Sequence, residues 1–195
     1  MSTKDDISIS LEPETFYHIF NRGNDGIPIF YRQHNYLYFL QKYDSYMSNY
    51  VDTYAYCLLP NHFHLLIRVK KWEDVFQAAK ADFKNISHIP PHILVSEKLR
   101  RFFLAYAKAI NKQEERKGSL FQKTFRRKKV SDDDYFTSLI WYIHHNPSHH
   151  KISDDIENHP WSSYPRLVLE TANRLKKAEL FTWFASKWQF VDFHK

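Results

Sequence analysis

Residues 53–69 read TYAYCLLPNHFHLLIRV: two runs of aromatic and aliphatic side chains separated by Pro60-Asn61. Proline presets one turn angle and asparagine tolerates the other, so 53–59 and 62–69 are expected to be strands of an antiparallel hairpin. Upstream of it, residues 16–20 are aromatic and β-prone, and 23–26 (GNDG) make a turn. Tyr36, Leu37, Leu40, Tyr43 and Met47 then recur at helical spacing across 33–48. Downstream, Phe76, Ala79 and Phe83 mark a helix over 73–86, and Ile89-Pro90-Pro91 a break. Leu99, Phe103, Tyr106 and Ile110 mark a second helix over 96–115, and 119–130 contains β-prone residues. Asp132-Asp133-Asp134 open a further helix, where carboxylates suit the positive end of the dipole. It is expected to stop near Pro147, because the residue before a proline disfavours helical angles. A last helix is expected around 178–187. The order β-α-β-β-α-α-β-α predicts an α+β fold, a ferredoxin-like antiparallel sheet with helices packed on it, plus a C-terminal extension.

Composition narrows the class. The 195 residues suit one domain, and 43% hydrophobic with 26% charged residues is enough apolar material for a core, which excludes wholesale disorder. Three Gly and eight Pro exclude collagen-like and linker-like chains. No apolar run approaches the ~18 residues of a membrane span, and residues 1–16 lack the pattern of a signal peptide. Cys57 is the single cysteine, which excludes an intramolecular disulfide and any multi-cysteine zinc module. A reducing, cytoplasmic setting is expected, with no membrane partner. The net charge is +6, and residues 112–130 carry eight basic side chains against Glu114 and Glu115, so the whole excess lies there. A basic patch on a neutral body suits either a polyanion or an ordinary solvated face.

His62-Phe63-His64 is the sharpest local signal. On a strand His62 and His64 share one face while Phe63 turns to the other, so the two imidazoles can hold one divalent metal or be two partly exposed histidines on an edge strand. A histidine-triad hydrolase would need a third alternating histidine, where Leu66 stands; a two-motif phosphodiesterase would need His-x-Ser/Thr twice, which is absent. The second piece is Trp141-Tyr142-Ile143-His144-His145-Asn146-Pro147. Tyr142 and Asn146, four apart, share a helix face, and His145 is three from Tyr142. A phenol nucleophile beside an amide or imidazole ligand competes here with plain packing, since the chain has 13 tyrosines.

These blocks resemble a known family. Residues 56–66 (YCLLPNHFHLL) are similar to the histidine–hydrophobic–histidine block of single-tyrosine (HUH) transposases, and 142–147 (YIHHNP) to the tyrosine helix of their REP-associated branch. Residues 17–24 (YHIFNRGN), 120–125 (LFQKTF) and 161–164 (WSSY) fit the same order. The resemblance spans residues 15–165, a transposase-like catalytic domain after a tail over 1–14; residues 166–195 lie outside it and are expected to form a helical extension. It also implies Mg²⁺- or Mn²⁺-dependent cleavage of single-stranded DNA, often beside a hairpin. Carried over by position, Tyr142 matches the nucleophile, His62 and His64 the metal pair, and Asn146 the third ligand, with His145 in reserve. The family commonly follows Asn-Pro with Val-Arg-Ala-Gly, where this chain has Ser148-His149-His150-Lys151.

Elementary chemistry agrees with that implication. A phosphodiester is anionic and repels nucleophiles, and a metal on the histidine pair would neutralise charge as it develops. Attack by Tyr142 would release a 3′-OH and leave a 5′-phosphotyrosine that a 3′-OH can reverse. Lys123, Arg126, Arg127, Lys128 and Lys129 would hold the DNA backbone. Two other classes stay open: a nucleic-acid-binding protein that kept the fold and lost the reaction, and a metal-dependent hydrolase of small phosphoesters, which leaves the basic run unexplained. A monomer is expected, with a homodimer as the alternative.

Overall fold

The computed structural model describes residues 8–122, 124–169 and 173–195. In it the hairpin of residues 53–69 becomes β2 (Val51–Leu59) and β3 (His62–Val69), antiparallel, with Leu59 opposite His62 and an irregularity between Thr53 and Ala55. β1 (Phe16–Arg22) pairs with the other side of β3, and β4 (Arg126–Lys129) pairs with β1, both antiparallel. The sheet order β2-β3-β1-β4 is that of a ferredoxin-like sheet.

Helices cover both faces. Tyr17, Ile19, Leu58, Phe63, Leu65 and Ile67 pack with side chains of α1 (Gln33–Met47) and α3 (Pro91–Gln113), among them Phe39, Phe102 and Tyr106. The opposite face brings Ala55, Cys57, Leu59 and Leu66 against Phe136, Leu139, Ile140 and Ile143 of α4 (Asp133–His149). The same cluster takes in Leu167 of α5 (Tyr164–Val168), Leu180 of α6 (Lys177–Thr182) and Phe190 of α7 (Lys187–Phe193). Among the described residues no helix is long and apolar enough to cross a membrane.

Phe63 sets the register of the histidine pair. It is fully buried between Phe39 and Phe103, which contributes about 1.5–3 kcal/mol for a side chain of that size. A slip of one residue would drive His62 and His64 into the aromatic core and expose Phe63, so the buried face holds the imidazoles on the other side.

Four boundaries differ from the sequence reading. α2 (Trp72–Asp82) stops at Asp82 rather than residue 86. The 89–91 break is instead the start of α3, because Pro91 occupies the first helical position, where no N–H is required. The tail forms two short helices rather than one. α4 continues through Pro147 to His149. Its end is a Schellman motif: Ile152 N–H donates to Pro147 O (2.8 Å) and Lys151 N–H to Ser148 O (2.9 Å). These bonds offset the donor that the proline ring removes.

Candidate active site

Three elements converge at one end of the sheet. On β1 and β3 the side chains of one face alternate, so His18, Phe20 and Arg22 lie beside His62 and His64, with Phe20 opposite His64 and Arg22 opposite His62. α4, capped by the Asp132 carboxylate accepting from Tyr135 N–H (2.8 Å), lies over this face and brings Tyr142 and Asn146 to it. Phe20, Asn21, Arg22, Asn61, His62, His64, Gln122, Arg126, Tyr142 and His150 line a cleft of ≈ 250 Å³. Tyr142 is 38% exposed there. Its ring stands edge-on to His64, with centroids 5.5 Å apart, and 6.4 Å from that of His18.

The donor set around His62 is unusual. Its Nδ1 lies 2.7 Å from Asn61 Oδ1, and its Nε2 lies 3.2 Å from Asn146 Oδ1. Both amides are oriented independently: Asn61 Nδ2 donates to Gly26 O (3.3 Å) and Asn146 Nδ2 to Tyr142 O (3.2 Å). A neutral imidazole carries one N–H and cannot donate to two carbonyl oxygens. Burial pushes the His62 pKa down to about 4, against a smaller opposing effect of Asn146, so the ring is neutral at pH 7. The shorter Nδ1 contact takes the proton, which leaves the Nε2 lone pair facing the Asn146 oxygen. Neighbouring ligands of an octahedral ion with ~2.1 Å bonds stand about 3 Å apart. Two lone pairs meeting at this spacing, with His64 on the same cleft, suit a hard divalent cation. Among the described residues no group of three His, Cys, Asp or Glu could hold a metal; the set here is two imidazoles and an amide.

His64 is buried, and its Nδ1 shares a 2.8 Å hydrogen bond with His18 Nε2. Burial, followed by the neighbouring His18, His62 and His150, holds its pKa well below the usual histidine range. Burial and then Lys128 lower that of His18 to about 3. Both rings are therefore neutral, the form a metal ligand needs.

The expected residues divide. His62, His64, Tyr142 and Asn146 come together. His145 does not: its ring stacks on Trp141 (4.0 Å between centroids), its Nδ1–H donates to Trp141 O (2.9 Å), and the ring faces His194. One residue of helix turns a side chain by about 100°, which carries His145 to the flank while Asn146 faces the cleft. Of the basic run, Arg126 lines the cleft and Lys128, opposite His18, shares its face. Lys129 is exposed. Arg127 is not a surface residue of this cleft: it is buried, opposite Ile19, on the far side of the sheet. Strand alternation alone separates it from Arg126. Lys123 lies outside the described residues. Sequence reasoning did not single out His18, Asn61 or His150, whose ring lies 4.5 Å from that of His62. The alternation of Phe16, His18 and Phe20 was the available signal for His18.

No family model matches the chain. A curated Haemophilus influenzae protein, named among the REP-associated tyrosine transposases, is 26% identical over 117 residues, 60% of this chain. The match spans 61% of that protein's length. A solved structure of a REP-associated tyrosine transposase bound to a REP hairpin has the same fold, with a TM-score of 0.59 and 16% identity over 86% of each chain. The chain is thus similar to the REP-associated branch both in sequence and in fold.

Proposed function

We propose that this REP-associated tyrosine transposase-like chain is a metal-dependent endonuclease and strand transferase acting on single-stranded or hairpin DNA, with Tyr142 as its nucleophile. The observation that carries the reading is the edge-on approach of Tyr142 to His64, 5.5 Å between ring centroids, beside the point where His62 Nε2 and Asn146 Oδ1 meet. The gap between phenol and imidazoles leaves room for a scissile phosphate, and such geometry commonly tightens only with substrate.

His62, His64 and Asn146 would hold Mg²⁺ or Mn²⁺, which when bound supplies polarisation of a non-bridging phosphate oxygen and neutralisation of developing charge. For His64 to offer Nε2, its Nδ1–H must donate to His18 Nε2, which makes His18 the group that orients it. Arg126 and Lys128, on the same face, would draw the DNA backbone toward the cleft, while exposed Lys129, opposite Tyr17, belongs to the other face of β4. The Tyr142 oxygen attacks phosphorus, its proton leaving to water. The bond from phosphorus to the 3′ oxygen breaks, that oxygen takes a proton, and the 5′ phosphate stays esterified to Tyr142. A 3′-OH attacking this ester reverses the exchange and joins strands. Every group comes from one chain, so a cytoplasmic monomer suffices, and a homodimer is not required.

The test is incubation of the protein with labelled hairpin DNA and Mg²⁺ or Mn²⁺, followed by a denaturing gel. The wild-type protein is expected to form a covalent adduct and a free 3′ end. Tyr142→Phe keeps the ring and is expected to lose adduct and cleavage together while binding the hairpin within about twofold, since a phenol oxygen at a half-exposed site contributes little to a phosphate-dominated affinity. An adduct formed by Tyr142→Phe would overturn the assignment. Metal-independent binding with no adduct from wild type would favour the non-catalytic reading.

A further inference from the structure

Two arginines stand at the cleft without an anion. Arg22 and Arg126 line it, and among its described lining residues there is no Asp or Glu. The two are not equivalent. Arg22 is directly opposite His62 on the neighbouring strand, whereas Phe20 stands between Arg126 and His64 in the next row of the sheet. Side chains directly opposite start about 5 Å apart, and each further strand adds about 5 Å. Arg22 therefore starts one strand away from the histidine pair, and Arg126 two.

The backbone beneath Arg22 is fixed on several sides. Its C=O accepts from Gln122 N–H (3.0 Å) and its N–H donates to Asn21 Oδ1 (2.9 Å), while Asn21 Nδ2 donates to Gln122 O (3.3 Å). The next residue, Gly23, donates its N–H to Asn61 O (2.7 Å), and a side chain at Gly23 would overlap Ile27 O. Asn61 is also the residue whose Oδ1 meets His62 Nδ1 (2.7 Å), so one turn positions both Arg22 and His62. Arg22 itself is exposed, and among the described residues no carboxylate pairs with it. Its charge is felt at two imidazoles of the cleft: burial is the main cause that lowers the pKa of His62 and of His150, and the Arg22 charge adds to it in each.

We propose that Arg22 is a catalytic residue of strand cleavage and transfer, its guanidinium gripping a non-bridging oxygen of the scissile phosphate in the transition state. The inference rests on the DNA reading above and deepens it. When the Tyr142 oxygen adds to phosphorus and the 3′ oxygen departs, negative charge grows on two non-bridging oxygens. One faces the ion that His62, His64 and Asn146 would hold, and the other is left to a cation. Arg22 is the cation that the sheet places beside those ligands. Its N–H groups donate to that oxygen; the guanidinium stays protonated throughout and forms or breaks no covalent bond. The same grip serves the reverse step, when a 3′-OH attacks the phosphotyrosine. Arg126, one strand further off, is left to a neighbouring phosphate of the backbone.

The test separates rate from affinity. Single-turnover adduct formation on labelled hairpin DNA, at saturating protein and fixed Mn²⁺, gives the rate. Fluorescence anisotropy, with Tyr142→Phe added to each protein to prevent cleavage, gives the affinity. Arg22 is exposed, so Arg22→Ala leaves the core untouched. It is expected to slow the adduct about a hundredfold or more, the scale of losing one donor to a developing oxyanion. Binding is expected to weaken less than about tenfold, since the other phosphate contacts remain. Ethylguanidinium in the buffer is expected to restore part of the Arg22→Ala rate and to leave wild type unchanged. A hairpin with a methylphosphonate at the scissile position develops less charge there, and on it the two proteins are expected to react within about threefold of each other. The role is overturned if the saturated rate is unchanged, if rate and affinity fall by the same factor, or if the loss is as large on the methylphosphonate. If neither protein reacts with the methylphosphonate, the rescue decides, and no recovery with ethylguanidinium overturns the role. Wild type that forms no adduct on the ordinary hairpin sinks the DNA reading itself, whereas a wild-type adduct with an unslowed Arg22→Ala sinks only the assignment of Arg22.

Discussion

Asn146 shows how much one side chain settles at the residue scale. It is fully buried, its amide nitrogen donates to the backbone of Tyr142, and its oxygen has no choice but to face His62 Nε2. With His62 unprotonated at neutral pH this sets two lone pairs against each other, an arrangement that a cation held against both would relieve. Asn146→Ala removes the oxygen while leaving both histidines. Its Mn²⁺ affinity by titration calorimetry is expected to fall at least about tenfold, the scale on which even outer-shell losses act. Equal Mn²⁺ affinity in the two proteins would remove Asn146 from the ligand set.

At the scale of the element, α4 carries both Tyr142, the proposed nucleophile, and the Asn146 amide, so its end matters. The residue after its C-cap is Lys151, at φ 55°, a left-handed position that favours glycine. This is where the family pattern commonly has Gly, and the Schellman bonds of Lys151 and Ile152 form despite the missing glycine. Lys151→Gly is expected to stabilise the fold by up to about 1 kcal/mol, a rise of a few degrees in Tm. An unchanged or lower Tm would mean that the Lys151 side chain makes up the difference elsewhere. The back of the same helix is held differently. His194 Nδ1–H donates to Phe190 O (2.7 Å), leaving Nε2 to accept from His144 Nδ1–H (2.8 Å), and His144 Nε2 in turn meets Ser163 Oγ (2.8 Å). Each ring uses its single proton once, so the two neutral histidines tie the C-terminal end of the chain to the helix of Tyr142.

The whole molecule inherits a pH dependence from these buried rings. Burial lowers His18 to about 3, His62 and His194 to about 4, and His64 and His144 well below the usual range. In the unfolded chain all five titrate near ~6.5. Below that value the unfolded state binds protons that the folded state refuses, so their contribution to stability is complete above about pH 7 and is lost as pH falls from ~6.5 toward 4. Tm is expected to be flat from pH 7 to 8 and to decline steadily from 6.5 to 4. His194→Phe, which removes a titrating imidazole that does not line the cleft, is expected to make that decline shallower. A Tm that holds level down to pH 5 would contradict the neutral assignment.

Strand alternation and helix periodicity are local properties, and whatever depended on them was legible in the chain itself. The run 53–69 determined the hairpin, the shared face of His62 and His64, and the opposite face of Phe63. Four-residue spacing put Tyr142 and Asn146 together. The order of elements determined a ferredoxin-like sheet. What only the tertiary structure decided concerns partners distant in sequence. The pairing of β1 with β3 brings His18 to His64 across 46 residues, and the packing of α4 on the sheet chooses Asn146 over His145 as the group that reaches His62. Strand alternation splits Arg126 from Arg127, which composition had counted as one basic patch, and the pairing of β4 with β1 decides which of them faces the cleft. The Schellman bonds carry α4 past Pro147, where the local rule expected it to stop. Apart from that local turn, the deciding free energy comes from burying one face against another element, and such contacts have no sequence period to read.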